Sequence, residues 1–312
     1  MASRRAEARP TLHANVLRYF LEVARCGSIR KAAQNLFVAS SAVNRQILQL
    51  ETELGTELFD RLPTGIRLTA AGEAVLRHVR TTLHDFELLR SELDAQKGER
   101  TGHVSLVAMD SLFVDFLPNA VAEFTVEFPA VTFTLLAMSP SEVPAVVAKG
   151  EADIGICFVT RAPPGTEIVA SAAFPIGVVM APSHPLASRA QIRYEDCRDY
   201  PFVLSHGRWP IYDALAPAFA EFWDSLEPRV SSNVSPLLKR SVVAGRGIAF
   251  FSRLGFMKEI AAGEAVWRPL DDPAINKLRA GIIVGRGRAL ANVERTFLDR
   301  LVWKLTQLEA PG

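Results

Sequence analysis

The side chains able to do covalent or metal chemistry are few and badly spaced for it. Three cysteines, Cys26, Cys157 and Cys197, form an odd, widely separated set, which fits a reducing compartment rather than a disulfide framework. A redox pair between Cys157 and Cys197 is one reading. Small, inert thiols are the favoured one, because no basic residue closely flanks Cys157 to lower its pKa. The six histidines show no metal-ligand spacing, and His78 and His84 lie too far apart for one helix face. No GxSxG, HExxH, CxxC or P-loop occurs. The pairs Gly245/Gly247 and Gly285/Gly287 have Phe250 and Leu290 where a dinucleotide fingerprint needs a third glycine, so both are read as turns. Enzyme activity, a metal and a cofactor are not expected.

The remaining chemistry is ionic and hydrogen-bonding, and it is unevenly placed. The 312 residues carry a net charge of +1, which on its face argues against a nucleic-acid partner. Residues 1–69, however, hold Arg4, Arg5, Arg9, Arg18, Arg25, Arg30, Lys31, Arg45, Arg61 and Arg67 against Glu7, Glu22, Glu51, Glu53, Glu57 and Asp60, a surplus of +4. The rest of the chain is at −3. A basic head on a slightly acidic body points to a polyanionic partner. With 49% hydrophobic residues the chain is not disordered, and its length allows about two domains. No apolar run of about 18 residues indicates a membrane span, and MASRRAEARP has no apolar stretch behind it, so no secretory leader is read. The expected location is cytoplasmic, with no membrane partner.

The basic head reads as three short helices. Val16, Leu17, Phe20, Leu21 and Ala24 recur at helical spacing up to Gly27. Ser28 is a credible N-cap for Ile29–Leu36, whose apolar side is Ala32, Ala33 and Leu36. After Phe37–Ala39, Val43, Ile47, Leu50 and Leu54 mark a third helix, with Ser40, Asn44, Arg45 and Gln49 on its other face. A helix-turn-helix needs this arrangement: small residues let the helices cross closely, and the third offers a polar N-terminal face to a groove. An ordinary three-helix cap with a solvated polar face is the alternative.

From Gly72 to Lys97 one helix is predicted. Leu76, Val79, Leu83, Phe86 and Leu93 fall on successive a and d positions, with Arg90 at the remaining a site, a seam of about three heptads. The alternative is a helix packed on its own chain. Beyond a break at 98–102, strands are predicted at 103–109, 131–138 and 154–159 and helices at 118–128 and 141–149, an order that implies a parallel sheet. The pattern restarts with strands at 177–181, 201–204, 229–234 and 247–252 and helices at 212–226 and 235–244. A strand at 278–284 and a helix at 290–305 close the chain and return to the first half, with crossings at 160–176 and 270–278.

The phrases Gly27-Ser28-Ile29-Arg30-Lys31-Ala32-Ala33-Gln34-Asn35-Leu36, Ala42-Val43-Asn44-Arg45-Gln46-Ile47, Leu54-Gly55-Thr56-Glu57-Leu58-Phe59-Asp60-Arg61 and Leu68-Thr69-Ala70-Ala71-Gly72 resemble the N-terminal signature of LysR-type transcriptional regulators, in order and spacing. Looser likeness continues in Gly150-Glu151-Ala152-Asp153-Ile154-Gly155-Ile156, Ser183-His184-Pro185-Leu186 and Val242-Val243-Ala244-Gly245-Arg246-Gly247-Ile248-Ala249. The resemblance implies an α/β protein: a winged helix-turn-helix (1–69), a dimerising linker helix (70–98) and an effector-binding domain (103–312) resembling periplasmic binding proteins. That domain's subdomain I is 103–175 with 276–312, and its subdomain II is 176–275. The implied function is sequence-specific transcriptional regulation by a homodimer or homotetramer. Its implied partners are double-stranded DNA carrying an inverted repeat and a small-molecule effector in the cleft between the subdomains. A solute-binding protein is the rival class; the attached head and missing leader argue against it.

The sequence departs from the family where DNA is read. Ala39-Ser40 replaces the usual Ser-Gln, Asn44 replaces a serine, and Thr64 stands where the wing often carries an arginine. The DNA-binding role carries over, but base readout does not. Ser40, Ser41 and Asn44 are assigned to base edges, which short polar groups can reach. Arg30, Arg45, Arg61 and Arg67 are assigned to phosphates. Arg45 or Arg61 has the alternative of pairing with Glu51 or Asp60.

For the effector, the ends of the predicted strands select the site, since ligands of open α/β sheets bind there. They are Asp110, Ser111, Phe113, Ser139 and Phe158 in the first half, and Ser205, His206, Trp209, Asn233 and Ser235 in the second. Ser111, Ser205 and Ser235 have helix capping as an equal alternative. Some family members that sense small carboxylates have an arginine where Phe158 stands. With Asp110 at the rim, an effector with an apolar or aromatic portion is expected, not a small polyanion.

Overall fold

A computed structural model describes residues 15–63, 65–97, 100–159, 161–206, 217–272, 275 and 278–308. The chain divides into two compact units between Leu93 and Asp94.

In the first unit, α1 (Asn15–Cys26), α2 (Ile29–Leu36) and α3 (Ser40–Leu54) precede a two-stranded wing, β1 (Phe59–Leu62) and β2 (Gly65–Leu68), and a long helix α4 (Ala70–Gln96). α2 covers the range its signals predict: the Ser28 hydroxyl accepts from the Lys31 N–H at 3.4 Å, which satisfies one of the free donors of the first turn. Ala32 and Ala33 are buried against Phe20, Val23, Val43 and Ile47, so small side chains do sit where α2 meets its neighbours. The Glu51 carboxylate accepts the N–H groups of Leu58 (2.8 Å) and Phe59 (3.2 Å) and so ties α3 to the wing. Gly72, in the first turn of α4, is required by close approach: a Cβ there would lie 2.1 Å from the Leu58 carbonyl oxygen.

α4 corrects the predicted seam. Leu76 and Val79 are buried in the core of the first unit and Leu83 packs on it. Of the later seam positions Leu93 is 45% exposed, and Leu89, which is not one of the predicted a and d positions, is 42% exposed. A stripe facing the chain's own core and one facing a partner have the same helical period, so periodicity could not separate them.

The second unit is built as two halves. In the first, β3 (Gly102–Met109), β4 (Val131–Met138), β5 (Ile154–Val159), β6 (Thr166–Ala173) and β12 (Arg279–Gly285) form one sheet in the order β4-β3-β5-β12-β6. It is parallel only over β4-β3-β5; β12 runs antiparallel to β5 and to β6. The predicted parallel sheet is therefore mixed. β6 occupies most of the crossing expected at 160–176, so the first crossing is confined to the link from Ala173 to Ile176. α5 (Phe116–Glu127) and α10 (Asn292–Gln307) cover one face, with Phe124 edge-on to Phe297 at 5.0 Å. α6 (Val143–Ala148) covers the other, burying Val143 and Val147 against Cys157 and Ile283.

In the second half, β7 (Ile176–Met180), β10 (Ala249–Ser252) and β11 (Val266–Pro269) pair antiparallel in the order β10-β7-β11. β8 (Phe202–Ser205) and β9 (Pro228–Ser232) pair in parallel, and a bridge from Phe202 to Ile248 joins the two ladders. α7 (Pro217–Asp224), α8 (Ser235–Val243) and α9 (Met257–Ala261) complete it. Phe202, Phe219, Phe222, Trp223 and Phe250 form its core. Gly245 follows α8 at φ +68°, a helix-ending position that glycine favours, in keeping with the turn reading of its pair.

Candidate functional site

The polar residues of the head fall on two elements. Ser40 and Ser41 open α3 and are exposed; Asn44 is half-buried one turn on, and Arg45 is exposed beside it. The N-cap Ala39 supplies no side-chain hydrogen bond, so the positive end of the helix is left without a side-chain acceptor, a favourable place for an anion. Arg61 and Arg67 lie on the wing and Arg30 on α2, all exposed. The Arg61 guanidinium donates to the Asn44 Oδ1 at 3.3 Å and thus joins wing to α3. Arg67 pairs with Asp60 across the hairpin at 3.3 Å, with the two side chains 73% and 43% exposed. A pair this exposed holds little energy and can exchange for phosphate. The alternative pairing of Arg45 or Arg61 with Glu51 or Asp60 is not the arrangement found. Glu51 is taken by backbone N–H groups and Asp60 by Arg67.

In the second unit, Asp110, Ser111 and Phe113 lie on a 310 turn directly after β3. Ser235 opens α8 and is buried. Its hydroxyl does not cap that helix; it donates to the Asp110 carboxylate at 2.5 Å, from one half to the other. A Cβ on Gly255, in the turn after β10, would stand 3.5 Å from the Ser111 Cβ. Phe158 is half-buried at the end of β5 and packs on the cores of both halves. The structure thus brings Asp110, Ser111, Phe158 and Ser235 to the junction of the halves. Phe113 packs on the first core, and Ser139 hydrogen-bonds Ser141 at 2.9 Å. Ser205 ends β8, the exposed His206 has its Nδ1 3.3 Å from the Ser231 hydroxyl, and Asn233 is exposed. Trp209 lies outside the described residues.

Three residues of this junction were not singled out in the sequence. One turn beyond Ser235, Lys239 is 3% exposed. Its ammonium lies 3.5 Å from Asp115 of the first half and 2.9 Å from Glu259 of the second, over the Phe256 ring at 5.5 Å. A lysine four residues after Ser235, on the same helix face, was the only signal available. Asp110, Asp115 and Glu259 against the one ammonium of Lys239 leave this group of side chains with a surplus of negative charge.

All three thiols are held toward their protonated form. Cys157 and Cys197 are fully buried in separate clusters, and burial pushes each up to about 12. Burial and the hydrogen bond to Glu22 also raise Cys26. Neither Cys157 nor Cys197 offers a thiolate for a redox pair at neutral pH.

Comparison with known proteins follows this division. Residues 14–73 match the model of the bacterial regulatory helix-turn-helix protein, lysR family, and residues 97–304 match the LysR substrate binding domain. The HTH-type transcriptional regulator CbbR of Rhizobium meliloti is 31% identical over 84% of this chain and 83% of its own. Full-length OxyR from Pseudomonas aeruginosa superposes with a TM-score of 0.68 at 18% identity, covering 96% of each chain. CbnR in complex with its target DNA superposes at 0.55 and 20% identity, over 95% of this chain and 99% of its own.

Proposed function

The chain belongs to the LysR family of bacterial regulatory helix-turn-helix proteins, and on that premise we propose how its parts share the work. It is a DNA-binding transcriptional regulator with an effector-binding domain, not an enzyme. The start of α3 enters the major groove, where Ser40, Ser41 and Asn44 meet base edges. Arg30, Arg45, Arg61 and Arg67 hold phosphates and set register. This assignment rests on one observation above all: a row of short polar groups on the uncapped first turns of α3, flanked by exposed arginines.

Residues 1–69 are the DNA-reading part, 70–98 the dimerising linker and 103–312 the effector part. Two copies, paired through the exposed Leu89 and Leu93 of α4, present two heads to an inverted repeat, as a dimer or tetramer. The effector binds between the halves, at Asp110, Ser111, Phe113, Ser139, Phe158, Ser205, His206, Trp209, Asn233 and Ser235. The acidic junction and the Phe158 ring favour a ligand with an apolar or aromatic portion over a compact di-acid. Preferential binding of di-acids in a titration of the whole chain is the result that rejects this choice. Among the described residues no helix is long and apolar enough to cross a membrane, which suits the proposed cytoplasmic location.

The test is a footprint on the DNA upstream of the protein's own coding sequence. Protection over an inverted repeat that weakens as salt rises is expected; its absence there and across a random-sequence selection rejects the DNA-reading assignment.

A further inference from the structure

Phe37 is the most exposed large apolar side chain among the described residues, at 95%. It is also the one non-glycine described residue with positive φ, at φ 56° and ψ 42°. The left-handed conformation ends α2 here, through hydrogen bonds from the cap to the Ala33 and Gln34 carbonyls. Glycine or asparagine would end the helix with less strain, and a bulky residue is the unusual choice. Nothing in the fold of the head uses the ring: the core of the first unit is complete with Phe20, Val23, Val43, Ile47 and Leu58. An exposed aromatic at a strained position works against both stability and solubility.

Its place in the fold supplies the reason. Phe37 sits in the turn between α2 and α3, three residues before Ser40. We propose that Phe37 is a further DNA contact, its ring meeting an apolar part of the duplex beside the groove that α3 enters and adding to the choice of operator. Two groups of DNA offer that chemistry: the thymine C5-methyl, which reports sequence, and the deoxyribose face, which does not. The contact is continuous with the interface assigned above and rests on that assignment.

The test uses the full chain and an operator fragment selected with the wild-type protein. Phe37→Asn keeps the left-handed turn and removes the ring. Its expected effects have opposite signs: a higher thermal midpoint for the head and an operator affinity lower by about tenfold, the size of one good base-edge contact. The salt dependence should not change, because no cation is lost. Operators with deoxyuridine in place of single thymines separate the two groups without touching the protein. A loss at one thymine that Phe37→Asn abolishes identifies the methyl, and no such position identifies the sugar face, which leaves only the claim of operator choice overturned. Unchanged or tighter binding by Phe37→Asn overturns the proposal. So does a loss that follows a changed oligomeric state, which would mark the ring as a protein–protein contact. If the wild-type chain shows no salt-sensitive, sequence-dependent binding at all, the DNA-reading assignment fails first and the proposal with it.

Discussion

The Ser235 hydroxyl donates to the Asp110 carboxylate at 2.5 Å, joining residues 125 positions apart and on opposite halves of the second unit. One turn further along α8, Lys239 reaches Asp115 from the same helix face. Two contacts therefore pin α8 of the second half to the start of the first, at the place where an effector is proposed to bind. An effector that displaces the Ser235–Asp110 hydrogen bond would release one of these two pins, which couples its binding to how the halves meet.

The lysine gives this a number. The Lys239 side chain is 4% exposed, Glu259 17% and Asp115 29%. Removing one partner of a buried pair leaves a charge uncompensated and costs roughly 3–5 kcal/mol. Glu259→Ala removes the nearer and more buried partner, and should lower stability toward the lower part of that range because Asp115 remains. Asp115→Ala should cost less. Lys239→Met fills similar volume but leaves Glu259 and Asp115 facing each other without their shared cation, and should cost at least as much as Glu259→Ala. Urea unfolding followed by a signal from the second unit checks the order; negligible losses for all three would show that the pairs hold little energy.

Gly72→Ala tests the packing of the wing on α4. The added Cβ would meet the Leu58 carbonyl oxygen at 2.1 Å and a Leu68 methyl at 2.9 Å, and backbone cannot yield as a flexible side chain does. A loss of at least about 1–3 kcal/mol is expected, the usual cost of overpacking. It should appear in the melting of the first unit, with the second unchanged. An unaltered first transition would mean that the contact relaxes freely.

How far the sequence carried the account depends on the range of the interactions involved. α2 and the start of α3 were legible because their signals are local: Ser28 as a cap, Ala32 and Ala33 facing inward, Ser40 after a break. β6 was missed because Thr166–Ala173 is rich in small residues and lacks a strong apolar alternation. The antiparallel direction of β12 follows from a chain return that strand patterning does not encode. The Asp110–Ser235 contact could be approached only by the rule that ligands gather at strand ends, which named both residues without saying that they touch. Asp115, Lys239 and Glu259 were not found, because a single lysine in a helix reads as a solvated one.

Acid should weaken the head through Glu22. The hydrogen bond from Arg25, with others from Asn35 and Cys26, lowers its pKa from 4.5 to about 2. Between those values the unfolded chain binds a proton at Glu22 that the folded chain does not, so stability falls as pH drops. The contribution is fully present above about 4.5 and is gone below about 2. Glu22→Gln should be less stable than wild type at neutral pH, and the difference should shrink from pH 4.5 downward. Thermal melts of the first unit between pH 7 and 2.5 measure it; a constant difference would remove Glu22 from the account.

The most direct measurement of the central claim compares Asn44→Ala with Arg67→Ala on a panel of operator variants at several salt concentrations. Asn44→Ala should relax specificity at one or two base positions, by about 1–3 kcal/mol, because it removes a group assigned to base edges. It also releases Arg61, which adds no base preference. Arg67→Ala should weaken all sequences about equally and reduce the salt slope by about one. A uniform loss from Asn44→Ala together with a changed base preference from Arg67→Ala would contradict the division of roles between α3 and the wing.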